Sequence, residues 1–140
     1  MNKVFKILPV ALAFGAAACG VRTTTTDVNP RMARAATCVN AVEVYDGRAD
    51  VRANYYELAW INAEGNSVWT TDNQMRETMR KRSAEVGANG LIANPVQQNK
   101  AGVSVVGEAI GANTATAKAS GLAIWIPSES GRATLACGSK

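Results

Sequence analysis

The chain has 140 residues, 15 basic and 11 acidic side chains, three cysteines and no histidine. That length supports one domain around a single core rather than two. The missing imidazole removes the commonest general base and a principal metal ligand, and the formal charge of +4 does not gather into the concentrated basic face that nucleic-acid binding requires.

Lys3 and Lys6 open the chain, an apolar run extends from Ile7 to Ala18, and Ala16-Ala17-Ala18 leads directly into Cys19. A basic start, a short apolar stretch and small residues before a cleavage point define a secretory signal. The run of 12 residues from Ile7 to Ala18 is short of the roughly 20 that cross a bilayer. With a thiol at the first mature position, the segment resembles a lipobox, in which Cys19 is thioether-linked to diacylglycerol and becomes the acylated N-terminus. The expected organisation is a lipoprotein signal over 1–18, a lipidated Cys19 with a flexible linker over 19–37, and one periplasmic domain over 38–140. Gly20, where an aspartate would signal inner-membrane retention, directs the expectation to the periplasmic face of the outer membrane.

Removing residues 1–18 leaves 122 residues, and because Lys3 and Lys6 leave with the signal, the net charge falls to +2. Phe5 and Phe14 leave too, so the core has to come from Trp60, Trp69, Trp125, the tyrosines and small aliphatic residues. Gly20 to Thr37, with Thr23-Thr24-Thr25-Thr26 and Asn29-Pro30, has no apolar period and reads as a linker. Its expected root-mean-square span is about 20–25 Å if flexible.

Cys38 and Cys137 remain at the two edges of the domain in an oxidising compartment. A reactive thiol and a metal pair are the rival readings to a disulfide. No histidine and no Cys-x-x-Cys is present to complete a metal site, so the staple is the preferred one and no cofactor or metal is expected.

Val39–Tyr45 alternates as a strand, and Asp46-Gly47 ends it. Arg48–Asn54 is polar and loop-like. Tyr55–Asn62 has strand chemistry, with Tyr56, Leu58 and Trp60 expected on one side and Tyr55, Glu57, Ala59 and Ile61 on the other. Ala63–Ser67 reads as a turn. A helix follows over about 71–87: Thr71 and Gln74 have capping-box spacing, Met75, Met79 and Val86 share a face, and Glu77 precedes Lys81 by one turn. Gly87-Ala88-Asn89-Gly90 supplies residues tolerant of left-handed backbone to end it.

Leu91–Val96 reads as a buried strand that Pro95 stops or places at an edge. Glycines punctuate 97–120, with Val103–Val106 a candidate strand. Leu122–Ile126 is the last strand, its Leu122, Ile124 and Ile126 expected inward, and Ser128–Lys140 is a tail held by Cys137. One helix over a small sheet satisfies both amphipathic surfaces. The class is therefore α+β, a small mixed sheet of four or five strands with one principal helix on one face.

The stretch from Met79 to Ile92, a helix ending in Val86-Gly87-Ala88-Asn89-Gly90 and running into an apolar strand, resembles small bacterial envelope domains. These include the stress-sensing outer-membrane lipoprotein of the Rcs phosphorelay and its uncharacterised relatives. The resemblance implies an anchored α+β domain that senses or docks on another envelope protein. That sensor's domain carries two disulfides, whereas this chain can form one.

No catalytic constellation emerges. Glu43, Asp46 and Asp50 are read as surface charge beside a turn, and Ser128 and Ser130 have no base in view. The expected module is non-catalytic. Its candidate interaction residues are Arg76 and Arg80, one helical stripe for an acidic envelope partner. The alternative is a structural or ligand-holding module, with Trp69 beside the helix start to hold a sugar or peptidoglycan fragment.

Overall fold

Threonine is β-branched and favours the pleated backbone even where no apolar alternation marks it. In the computed structural model, which describes residues 20–66, 70–99 and 116–138, the threonine run is strand β1 (Arg22–Asp27). It pairs antiparallel with β3 (Tyr56–Asn66) from Arg22 opposite Glu64 to Asp27 opposite Ala59. The linker expectation is thereby corrected. Residues 30–37 are also folded onto the domain: Met32 packs against the core, the Arg34 guanidinium lies 3.5 Å from the Trp125 ring centre, and the Thr37 amide donates to the Ala84 carbonyl at 2.8 Å.

The mixed sheet runs β1-β3-β6-β4-β2, with a short β5 also on β6. Here β2 is Glu43–Tyr45, β4 Gly90–Ala93, β5 Gln97–Asn99 and β6 Thr116–Trp125. All pairs are antiparallel except β2 with β4. Val39–Ala41, expected in the first strand, forms a turn of 3-10 helix before β2. Ala63–Asn66, expected as a turn, continues β3.

Helix α1 (Asp72–Glu85) begins with the expected capping box. The Gln74 amide donates to the Thr71 hydroxyl, and the Thr71 amide to the Gln74 side chain. Met75, Met79, Ser83 and Ala84 are its buried residues; the Ser83 hydroxyl donates back to the Met79 carbonyl at 2.9 Å. The ion pair of Glu77 is with Arg80, at 3.5 Å, rather than with the expected Lys81. Gly87, at φ +81°, turns the chain out of the helix in a conformation that disfavours a side chain. A Cβ there would also stand 2.5 Å from the Arg34 Cβ.

The helix lies against small residues. Ala117, Ala119 and Ala123 of β6 belong to the core cluster with Met75, Met79, Leu58, Ile61 and Leu91. At Gly121 any Cβ would meet Met79 and Leu91 at 2.7 Å. Leu122, Ile124 and Ile126 are buried as expected, but in a second cluster with Ile92, packed by Tyr45, Val51, Ala53 and Tyr55. Alternation along β6 puts them on the face away from α1. In β3 the expected alternation fails at a bulge between Glu57 and Ala59. The extra residue, Leu58, is buried in the helix-side cluster while Trp60 is 37% exposed.

The expected tail is instead a turn of 3-10 helix, Pro127–Glu129, followed by helix α2 (Ser130–Gly138). Cys137 on α2 forms the disulfide with Cys38, their Cα atoms 5.5 Å apart. Arg132 binds α2 to the sheet: it pairs with Glu129 at 2.6 Å and Glu43 at 3.5 Å, and donates to the carbonyls of Ala41 and Asn89 at 3.3 Å.

Asn89 was expected to help end α1 through left-handed backbone, yet no non-glycine residue among those described has positive φ. It is fully buried. Its side chain accepts from the Ile126 amide at 2.8 Å and donates to the Ile126 carbonyl at 2.9 Å, standing in for one more residue of the β4–β6 ladder.

The Tyr45 hydroxyl is pushed up to about 12 by burial first, then by the Glu129 and Glu43 carboxylates. The folded state therefore keeps a proton that the unfolded chain releases near its usual 10.0. This contribution to stability is complete below pH 10 and is lost as pH rises towards 12. Urea midpoints should fall between these pH values, and less steeply in Tyr45→Phe; equal slopes for the two proteins would contradict the assignment.

Candidate functional site

A proline has no amide to give a sheet ladder, and Pro95 sits where β4 would otherwise run on into β5. Both strands pair with β6, to either side of the break. Asn94 stays attached there, its amide donating to the Ser120 carbonyl and its side-chain nitrogen to the Ser120 hydroxyl, both at 2.9 Å. The interruption leaves a recess of about 570 Å³ whose lining includes Asn62, Glu64, Asn94, Pro95, Lys118 and Ser120.

The register shows how the recess lies on the sheet. Thr24 faces Asn62 and Asn62 faces Ser120, so that one polar row crosses three strands and ends on Asn94 in the break between β4 and β5. Arg22, Glu64 and Lys118 form the row on one side, with Glu64 and Lys118 3.9 Å apart. Thr26, Trp60 and Leu122 form the row on the other. This face is apolar and covered over Leu122, Ile124 and Ile126 but polar and open over Thr24, Asn62, Glu64 and Lys118, all exposed. Trp60 stands where the two halves meet. Amides and a hydroxyl supply donors and acceptors without a concentrated charge, and an indole beside them supplies an apolar flat face. Such a surface can hold a polar, largely uncharged ligand. Among the described residues no group of three or more histidine, cysteine or acidic side chains could hold a metal ion.

The residues singled out in the sequence lie elsewhere. Arg76 pairs with Asp46 at 2.8 Å. Arg80 donates to the Val42 carbonyl at 2.8 Å and pairs with Glu77. Both guanidinium groups are thus committed within the fold, tying α1 to the chain around β2. Glu43 and Asp46, weighed as acid–base candidates, are partnered by Arg132 and Arg76. Cys19 and Trp69 lie outside the described residues, as does Val103–Val106. No helix among the described residues is long and apolar enough to cross a membrane. Sequence reasoning missed Asn62, Asn94 and Ser120. The available signal was Pro95 together with the polar alternation Asn62-x-Glu64 after Trp60.

Fold and site together define an α+β domain with one helix on one face of a mixed sheet and a polar recess on the other. No family model matches the chain, and no curated protein matches it. Among solved structures it is similar to FvfA, a Francisella virulence factor, at 10% identity and a TM-score of 0.53, over 74% of this chain and 96% of that one. At that identity the likeness shows the fold alone.

Proposed function

We propose that the chain is a lipid-anchored envelope protein, acylated at Cys19, whose domain is a non-catalytic module that holds a sugar chain on its open sheet face. The observation that carries this reading is the row Thr24, Asn62, Ser120 and Asn94 beside the half-exposed Trp60. Sugar hydroxyls pair with amides and hydroxyls, and the apolar face of a pyranose lies on an indole ring; a few convergent polar groups in a concavity are what orient such a ligand. The anchor supports an envelope location, and no acid–base pair is required of a module that only binds.

N-acetylglucosamine oligomers and soluble peptidoglycan fragments are the direct probes. Titration followed by tryptophan fluorescence should saturate, and Trp60→Ala should weaken binding at least tenfold, about 1.4 kcal/mol, while leaving the melting curve close to wild type. An unsaturable signal, or equal affinity in Trp60→Ala, would exclude this face as the site.

Docking on an envelope protein is the second reading. It is favoured by the exposed apolar side chains of Val28 and Tyr56. A sensing role, as the Rcs resemblance implies, would operate through such a contact.

A further inference from the structure

The tether between Cys19 and the folded domain is far shorter than the sequence suggests. Strand β1 begins at Arg22 and is paired from its first residue. Val21 already packs against the helix-side core, so Gly20 alone separates the cysteine from packed structure. Three residues reach about 10 Å at most. Whatever Cys19 is attached to, the Arg22 end of the sheet stays beside it.

The strand directions show what shares that end. β3 and β4 run towards it, while β1 and β6 run away from it. Glu64 and Lys118 therefore lie there with Arg22, as does Thr70 before α1, which lies close to Gly65. At the opposite end stand Gly87, Asn89, Trp125 and the Cys38–Cys137 disulfide. Strand β3, with its bulge paired against the 10 residues of β6, spans about 30 Å between the two ends.

We infer that the domain stands end-on at the lipid surface, with Arg22, Glu64 and Lys118 at headgroup level and the disulfide end facing away from the bilayer. This rests on the reading of Cys19 as acylated. Among the described residues of this end, Arg22 and Lys118 are offset by Glu64 and by Asp72 at the helix start; the orientation is therefore assigned to the tether and is expected to be insensitive to salt. The recess at Asn62 and Ser120 then opens about 7 Å above Arg22, two strand residues higher. A sugar bound there is one carried by a membrane lipid, or one brought to the bilayer surface.

The test uses the lipidated full-length protein in phosphatidylethanolamine–phosphatidylglycerol vesicles containing a headgroup spin-labelled lipid. Lys118→Cys and Ser128→Cys each add one free thiol for a fluorophore, the first near the start of β6 and the second in the turn just beyond its end. Quenching should be several-fold stronger at 118 than at 128, in low and high salt alike. A twelve-residue Gly-Ser insertion between Gly20 and Val21 should remove the difference. Equal quenching without the insertion, on protein shown by mass spectrometry to carry acyl chains on Cys19, overturns the orientation and leaves the anchor standing. An unacylated Cys19 overturns the anchor and the orientation together.

Discussion

Cys38→Ser lowers the melting temperature by about 15–40 °C and frees a titratable thiol at Cys137. The bond closes a loop with a sequence separation of 99, worth about 4–5 kcal/mol in the chain-entropy account. For a domain near this size 1 kcal/mol moves the midpoint by about 4–8 °C. The effect is large here because of what the bond joins. Cys38 leads into β2, the short outer strand, and Cys137 sits on α2, a helix with one buried residue, Ala133. Without the bond, Arg132 and its partially exposed ion pairs remain the main connection between α2 and the sheet, and such pairs contribute little. An unchanged melting curve under non-reducing conditions would show that the bond adds nothing to folding.

Asn89→Ala is expected to cost about 3–5 kcal/mol. It removes two hydrogen bonds and strands the amide and carbonyl of Ile126 inside the protein, where each unpaired group costs about 1–3 kcal/mol. Asn89→Asp separates this from a simple loss of volume. The carboxylate retains an acceptor for the Ile126 amide but turns an oxygen on the Ile126 carbonyl, so this near-isostere should also be strongly destabilised. Urea unfolding at pH 7 reads both as a lower midpoint with unchanged slope. A near-wild-type Asp variant would show that the pairing with Ile126 is not what Asn89 supplies.

Local signals made some elements legible and tertiary demands hid others. Helix α1 announces itself through Thr71, Gln74 and the Met75–Met79 spacing because a cap and an apolar stripe are written within one segment. The end of β6 is legible for the same reason. Its first half is not, since Ala117, Ala119 and Gly121 are chosen to let α1 approach, and small residues carry no strand signature. β1 was hidden because threonine alternates with threonine; only its β-branching pointed to a strand. Asn89 illustrates a further limit: a helix-stop residue by local grammar is a ladder surrogate once β6 returns beside it. The candidate site shared that limit, because Asn62, Asn94 and Ser120 are far apart in the chain and meet only through register. Arg76 and Arg80, which look free on a helical wheel, find Asp46 and Val42 across the fold.

The short tether constrains function as well. Were Cys19 acylated as proposed, a domain joined to it through Gly20 alone would not range through the periplasm as an 18-residue linker would allow. On that proposal the face beside the bilayer would favour a ligand that is itself close to the membrane, with Trp60, Asn62 and Ser120 held in register by the β3–β6 pairing.

We propose above that the open polar face holds a sugar chain. The most direct test is an NMR titration of the isotopically labelled mature protein with N-acetylglucosamine oligomers, following the Asn62 and Asn94 side-chain amides, the Ser120 backbone and the Trp60 indole. Saturable shifts concentrated on these four residues are expected, with the Arg76, Arg80 and Tyr56 signals unmoved. Shifts centred on Val28 and Tyr56, or none at saturating sugar, would contradict it.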